Sequence, residues 1–166
     1  MRKNPEGYKQ LLVYQRAEEL REFVFKITEN FPQVERRRKE HMRDSARSTK
    51  QNIVEGWKRE TTQQYIDFLS FSFGSLGELK EDGEDSLKDG LITKEEFEGL
   101  KRKCGELDYL MRRLKESLER KIQKEQVLPP YQRWLKIKME GKNQKQKEFD
   151  EELKKIVEEG RKGKNG

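Results

Sequence analysis

The chain has 166 residues, enough for one domain with a hydrophobic core and an appended tail. Charged residues make up 42% of it and hydrophobic residues only 31%, which favours slender amphipathic helices and leaves no apolar run long enough to span a membrane. The formal net charge of +6 favours an acidic partner, but 32 acidic residues accompany 38 basic ones, so the distribution of charge matters more than its sum.

The first predicted helix begins at Tyr8, after a lead-in interrupted by Pro5 and Gly7, and ends before Pro32. Its apolar residues recur at alternating steps of four and three, the spacing of a helix-bundle seam: Val13, Ala17, Leu20, Val24, Ile27 and Phe31. This spacing predicts one buried face.

The second predicted helix starts near Val34 and ends between Gly56 and Arg59. One face is suited to burial: Met42, Ala46, Thr49, Ile53, Gly56 and Trp57. A neighbouring arc is cationic: Arg36, Arg43, Arg47, Lys50 and Lys58. Residues 34–60 hold nine basic residues against five acidic ones, whereas residues 62–90 hold two against seven.

The cationic arc has two interpretations. It is either a phosphate-binding surface or an ordinary solvated face whose charges pair with acids on a neighbouring helix. On the first interpretation Arg43 and Arg47, one helical turn apart, are the best-placed pair, because guanidinium groups engage phosphates at two points.

Two capping-box patterns mark the next helices, Thr61 with Gln64 and Thr93 with Glu96. The third helix should end at Asp89 and Gly90, and the fourth near Lys124. Their seams are Tyr65, Leu69, Ser72, Leu76 and Leu79 on the third helix, and Phe97, Leu100, Cys104, Leu107, Met111, Leu114 and Leu118 on the fourth. Four long helices with short connections predict an all-α fold, an antiparallel up-down-up-down four-helix bundle over residues 1–126.

Two features of the third helix need a further explanation. Gly74 and Gly77 fall in mid-helix, where glycine costs about 1 kcal/mol relative to alanine, so we expect a neighbouring helix to approach closely there. Its apolar arc also exceeds one core face, which indicates either a central position or contact with another subunit. Phe71, and Tyr109 on the fourth helix, are the candidate subunit contacts.

Residues 127–166 form a basic C-terminal extension that begins near two helix-breaking prolines, Pro129 and Pro130. A short helix is predicted over residues 142–160, with Phe149, Leu153 and Ile156 on one stripe. The extension is either a solubilising tail or a nucleic-acid-binding segment in which a ring stacks on bases and cations meet phosphates. Its candidate residues are Arg133, Trp134, Lys136 and Lys138.

No catalytic or metal-binding set emerges from the sequence. His41 is the only histidine and has no cysteine or histidine companion at ligand spacing, while Cys104 lies on a core seam. We therefore expect no enzymatic activity, cofactor or metal.

The single cysteine and the lack of an N-terminal apolar run predict a cytoplasmic protein. Asn52 and Glu55 flank the buried face of the second helix, where their simplest role is hydrogen bonding between helices or capping.

Three segments resemble one family: YKQLLVYQRAEEL, STKQNIVEGWKRE and YIDFLSFSFGSLGELKE. They are similar to the four-helix-bundle proteins encoded as intervening sequences in bacterial 23S rRNA genes, a fold family that includes the accessory variability determinant of diversity-generating retroelements. The likeness covers residues 8–122 and is most specific at Leu12 to Ala17, at Gly74 to Leu79, and in the motif Asn52, Ile53, Glu55 and Gly56.

The resemblance implies a homopentameric ring with a basic surface and no enzymatic activity. In the retroelement branch, it implies binding of nucleic acid and of a reverse transcriptase. The chain departs from the family where a proline usually precedes the motif, since Lys50 stands there, and where Tyr14 replaces a common tryptophan.

The sequence therefore predicts a non-enzymatic, oligomeric protein that binds nucleic acid, RNA above all, as an accessory to a partner such as a reverse transcriptase. The alternative is a protein-interaction scaffold encoded in an rRNA intervening sequence, with no direct nucleic-acid role.

Overall fold

The computed structural model describes residues 4, 6–127, 137–144, 146–148 and 151. The chain divides into two units, one of residues 3–122 and the other of residues 1–2 and 123–166. The four long helices are α1 (Leu12–Ile27), α2 (Arg36–Lys58), α3 (Thr62–Lys88) and α4 (Lys94–Val127), and short 3-10 helices cover Gly7–Gln10 and Gln33–Glu35. The described part of the chain is helical and contains no strand, which confirms the all-α class.

The first helix is shorter than its periodicity predicted. Tyr8 belongs to the 3-10 helix Gly7–Gln10, and extended backbone at Leu11 separates that turn from α1. At the other end, the buried Thr28 hydroxyl donates a 2.8 Å hydrogen bond to the Val24 carbonyl, and the chain turns before Pro32. The apolar seam therefore continues through Phe31 although the α-helix does not.

The predicted seams meet in one hydrophobic core. Every member of the α1 seam is buried, as are the predicted seam residues of α3 and most of those on α2 and α4. The fully inaccessible side chains in this core include Leu20, Met42, Ile53, Leu69, Leu79, Cys104, Leu107 and Met111.

Both predicted capping boxes are present. The Thr61 hydroxyl accepts from the Gln64 amide at 3.1 Å while the Gln64 side chain accepts from the Thr61 amide at 3.2 Å. Thr93 and Glu96 make the same reciprocal pair at the start of α4. Gly90 ends α3 with a φ of 70°, a left-handed conformation that glycine adopts without steric cost.

The prediction for Gly74 and Gly77 is wrong. A Cβ atom built on either residue meets nothing within 4 Å, so no helix packs closely there. Close approach occurs at four other glycines, one of which is Gly7, where a Cβ would lie 2.8 Å from the Trp57 ring. A Cβ would meet the Tyr65 ring at 2.4 Å on Gly56, the Leu100 side chain at 2.5 Å on Gly83 and the Phe23 ring at 2.8 Å on Gly99.

Side-chain contacts join each helix of the unit 3–122 to two others. The pairs are Arg43 with Phe25 and Lys50 with Glu18 between α1 and α2, Ser72 with Thr49 and Ser75 with Ser48 between α2 and α3, Lys80 with Asp108 between α3 and α4, and Arg16 with Glu106 between α1 and α4. The region Lys94–Ile122 of α4 thus contacts both α1 and α3.

Among the described residues, no helix combines the length and the apolar character that a membrane crossing requires.

Candidate nucleic-acid interface

Arg43 and Lys50 of the predicted cationic arc contact α1, and we call the surface around these contacts the basic seam. It comprises Arg36, Lys39, Arg43, Arg47 and Lys50 of α2 together with Phe25 and Thr28 from the C-terminal part of α1 and its end. The cations of the basic seam differ in their partners, which are neutral acceptors for some and carboxylates for others. A cation that has no carboxylate partner keeps its positive charge uncompensated.

Arg43 is anchored by neutral groups. Its Nε donates to Thr28 Oγ1 at 2.8 Å, its Nη2 donates to the Phe25 carbonyl at 3.0 Å, and its guanidinium lies 4.4 Å from the Phe25 ring centroid. No carboxylate in the described part of the chain pairs with it. Arg43 is therefore half-buried and oriented while its charge remains uncompensated by an adjacent acid.

Lys39 is held in the same way, because its Nζ donates to the backbone carbonyl of Glu29 at 2.8 Å. Arg36, by contrast, is exposed and forms an ion pair with Glu40 one turn away, with an N–O distance of 3.2 Å. Such an exposed pair contributes little to stability and leaves the outer guanidinium nitrogens accessible.

Lys50 contributes less free charge than the sequence suggested. Its ammonium pairs with the Glu18 carboxylate, which also pairs with Arg21 at 3.2 Å, and it lies 6.0 Å from the Tyr14 ring centroid. Arg47 and Lys58 are exposed, and their side chains make no hydrogen bond or ion pair with other described residues. The predicted arc thus contains anchored, neutralised and unattached cations.

A surface cavity of about 280 Å³ lies at one end of the basic seam. It is lined by Phe31, Pro32, Gln33, Arg36, Lys39, Glu40 and Arg43. Three cations and one carboxylate therefore border the same space, and two of those cations are the ones anchored by neutral acceptors.

Lys39, Phe25 and Thr28 were not among the predicted site residues. The α2 sequence alone does not show which face of α1 it meets, and Lys39 lies outside the arc drawn on α2. Phe25 and Thr28 each follow a buried seam residue of α1 in the sequence, Val24 and Ile27. This position indicates that they lie at the edge of the buried face, where a neighbouring helix can contact them.

Most of the predicted site residues in the C-terminal extension lie outside the residues that the structure describes. Arg133, Trp134 and Lys136 lie outside the described residues, as do Phe149, Leu153 and Ile156 of the predicted tail helix. Lys138 lies exposed within a described helical stretch, residues 137–144. The nucleic-acid role of this segment stays a prediction.

The candidate subunit contacts are both exposed. Phe71 on α3 is 60% exposed and packs edge-on against Phe68, with 5.6 Å between ring centroids. Tyr109 on α4 is 62% exposed. Their role in a subunit interface stays a prediction.

The expected hydrogen bonds between helices are not what Asn52 and Glu55 form, because their partners lie within α2 and at its end. Asn52 Nδ2 donates to Ser48 Oγ at 3.4 Å, and Glu55 pairs with Arg59 at 3.2 Å. Gly56 is buried beneath the Tyr65 ring, where a side chain would collide.

The other side of α2 carries a polar line along α3. His41 Nδ1 lies 2.5 Å from an Asp82 carboxylate oxygen, and Ser48 and Ser75 share a 3.0 Å hydrogen bond. The hydrogen bond to Asp82 raises the pKa of His41 above its usual 6.5. Among the described residues, no group of three or more His, Cys, Asp or Glu side chains is placed to hold a metal ion.

Cys104 lies in the core, where it is fully inaccessible, and burial raises the pKa of its thiol to about 12. The residue therefore stays protonated and unreactive at neutral pH. This placement confirms the prediction that Cys104 packs in the core.

Together, the described residues define an all-helical protein with one core and a cationic seam between two of its helices. A family model described as "23S rRNA-intervening sequence protein" matches residues 9–113, and the chain belongs to this family. No curated protein matches the chain.

Proposed function

We propose that the protein binds nucleic acid, RNA above all, through the phosphate backbone and without catalysing a reaction. The observation that carries the proposal is the anchoring of Arg43 and Lys39 by neutral acceptors. Cations held by carbonyls, a hydroxyl and a ring face are oriented without being neutralised, so they present positive charge to a polyanion. Such contacts recognise phosphates and carry no base information.

We also propose that α1 to α4 form an antiparallel up-down-up-down four-helix bundle. Two pairs between α2 and α3 support this arrangement, since His41 lies opposite Asp82 and Ser48 opposite Ser75. Residue numbers therefore rise along α2 as they fall along α3. Pairs of the same sense join α1 to α2 and α1 to α4: Lys50 with Glu18 and Arg43 with Phe25, and Arg16 with Glu106 and Gly99 with Phe23.

The bundle is proposed to assemble into a homo-oligomer, with a pentamer implied by the family resemblance. The exposed rings of Phe71 and Tyr109 support a further apolar contact surface. Repetition of the basic seam around a ring would multiply weak phosphate contacts through effective concentration. In the retroelement branch of the resemblance, the ring would serve as an accessory to a reverse transcriptase.

Binding of a single-stranded RNA oligonucleotide over a range of salt concentrations tests the proposal. Affinity should fall steeply with salt, because each phosphate contact releases counterions. The variant Arg47→Glu, Lys58→Glu should weaken binding and make the salt dependence shallower, by about one unit of slope for each phosphate that the protein no longer binds. Both residues lack partners among the described residues, so the fold should be unaffected.

The matched control is Lys101→Glu, Arg102→Glu on α4. These two cations are also exposed and lack ion-pair partners among the described residues, and the change in net charge is identical. Equal loss of affinity in both variants would reduce the effect to net charge and refute the assignment to the predicted cationic arc of α2. Absence of RNA binding by the unmodified protein at low salt would refute the function itself.

A protein-interaction scaffold is the second candidate. The exposed rings of Phe71 and Tyr109 favour it. Light scattering distinguishes the two candidates when combined with the RNA assay. Oligomers that dissociate in salt and bind no RNA would support the scaffold.

A further inference from the structure

We propose that the cavity at the end of the basic seam binds a terminal phosphomonoester of the nucleic acid. This proposal rests on the proposed nucleic-acid binding and adds a specificity to it. The cavity is bordered by Arg36, Lys39 and Arg43, with Glu40 as the only acid among the described residues that line it. Its lining therefore carries two net positive charges.

That charge matches a monoester better than a backbone phosphate. A phosphodiester carries one negative charge, whereas a terminal phosphomonoester carries about −1.5 to −2 near pH 7 and offers three acceptor oxygens. A chain end placed in this cavity would balance its charge, while an internal phosphate would leave about one positive charge unmatched.

The cations keep enough donors to bind such a group. Arg43 uses Nε and one Nη2 hydrogen on the α1 carbonyl and hydroxyl, which leaves about three of its five N–H donors. Lys39 uses one donor on the Glu29 carbonyl, which leaves about two of three. Because their existing acceptors hold both side chains in place, binding costs little additional ordering.

The dimensions favour a small ligand portion. The cavity volume of about 280 Å³ lies just below the lower end, about 300 Å³, of ordinary small-molecule pockets. It accommodates a phosphate with part of its sugar, with the buried Phe31 and the exposed Pro32 as the apolar wall and the Gln33 amide as a further polar group.

The test compares three RNA oligonucleotides of one sequence at low salt: with a 5′-phosphate, with a 3′-phosphate and with neither. At least one of the two phosphorylated oligonucleotides should bind about tenfold more tightly than the oligonucleotide without a terminal phosphate, the effect of one added hydrogen bond between charged groups. The two phosphorylated oligonucleotides show which end is held, and competition by inorganic phosphate shows that the group alone occupies the cavity.

Two variants assign the effect to the cavity. Arg36→Gln and Lys39→Gln should each remove most of the preference for the phosphorylated end while RNA without it still binds. Arg37→Gln is the control, because Arg37 is exposed, has no ion-pair partner among the described residues and does not line the cavity. Thermal unfolding of each variant shows whether removal of the Lys39 bond to Glu29 disturbs the fold.

Each remaining outcome separates this proposal from the broader one. Equal binding of all three oligonucleotides, or a preference that survives both cavity variants, would overturn the monoester site and leave backbone binding intact. No binding of any oligonucleotide would overturn both.

Discussion

Gly56→Ala measures how tightly the start of α3 packs on the end of α2. A Cβ atom at this position would lie 2.4 Å from Cδ2 of Tyr65 and 3.0 Å from Cβ of Phe68. Tyr65 is 2% exposed and packs edge-on against Trp57, with 6.5 Å between ring centroids, so its ring has little room to move. Relief of such overpacking typically costs about 1–3 kcal/mol.

The same substitution at Gly74 supplies the reference. Replacing a helical glycine by alanine gains about 1 kcal/mol from backbone propensity, and at Gly74 nothing within 4 Å opposes that gain. Gly74→Ala should therefore raise the free energy of unfolding by about 1 kcal/mol. The free energy of unfolding of Gly56→Ala should be about 1–3 kcal/mol lower than that of Gly74→Ala, because of the collision with Tyr65.

Urea denaturation monitored by circular dichroism provides both free energies of unfolding, provided that the slope with denaturant is unchanged. The Gly56→Ala, Tyr65→Leu double variant adds a check, because a smaller, flexible side chain should relieve part of the collision and make the two substitutions non-additive. Equal stability of Gly56→Ala and Gly74→Ala would show that α2 and α3 do not approach closely at Gly56.

Three further predictions concern the burial of Cys104, the pair of His41 with Asp82, and the cap formed by Thr61. Cys104, with its pKa raised to about 12 by burial, should resist iodoacetamide in the native protein at pH 8 and react fully in urea, as measured by mass spectrometry; native labelling would contradict its burial. Because Asp82 raises the pKa of His41, their pairing stabilises the fold fully below pH 6.5 and the benefit disappears as the pH rises through the raised value. His41→Asn should thus cost about 0.2–1 kcal/mol at pH 6 and nothing at pH 9 in urea titrations, whereas a pH-independent loss would exclude the ion pair. Thr61→Ala should lower the free energy of unfolding by about 1 kcal/mol because the Gln64 amide loses its cap, and Thr61→Ser should retain stability.

The core and the helix ends were predictable because their signals are local. The α1 seam from Val13 to Phe31 is buried as its spacing required, since the helical repeat alone places those residues on one face. Thr61 and Gly90 mark the limits of α3 because a hydroxyl acceptor and a left-handed residue are needed there whatever the helix packs against.

Contacts between helices were not predictable to the same degree. Periodicity shows that Gly74 and Gly77 lie in a helix but not what faces them, and both face open space. The glycines of the long helices that do permit close approach are Gly56, Gly83 and Gly99, and each faces a bulky side chain on another helix. Such matching depends on the rotation and relative shift of two helices, which the sequence of either one does not contain.

The basic seam shows the same limit in its charges. Arg43 and Lys50 lie on one arc of α2, so the sequence alone does not distinguish them. Both are also half-buried in the structure. The structure separates them, because Lys50 meets the Glu18 carboxylate whereas Arg43 meets a carbonyl, a hydroxyl and a ring. A polyanion that approaches Lys50 must compete with the Glu18 carboxylate. At Arg43 no carboxylate of the described residues competes with it for the positive charge. The charge that Arg43 and Lys50 leave uncompensated is therefore set by what α1 and its end place opposite each of them, and the uncompensated Arg43 borders the same cavity as Lys39.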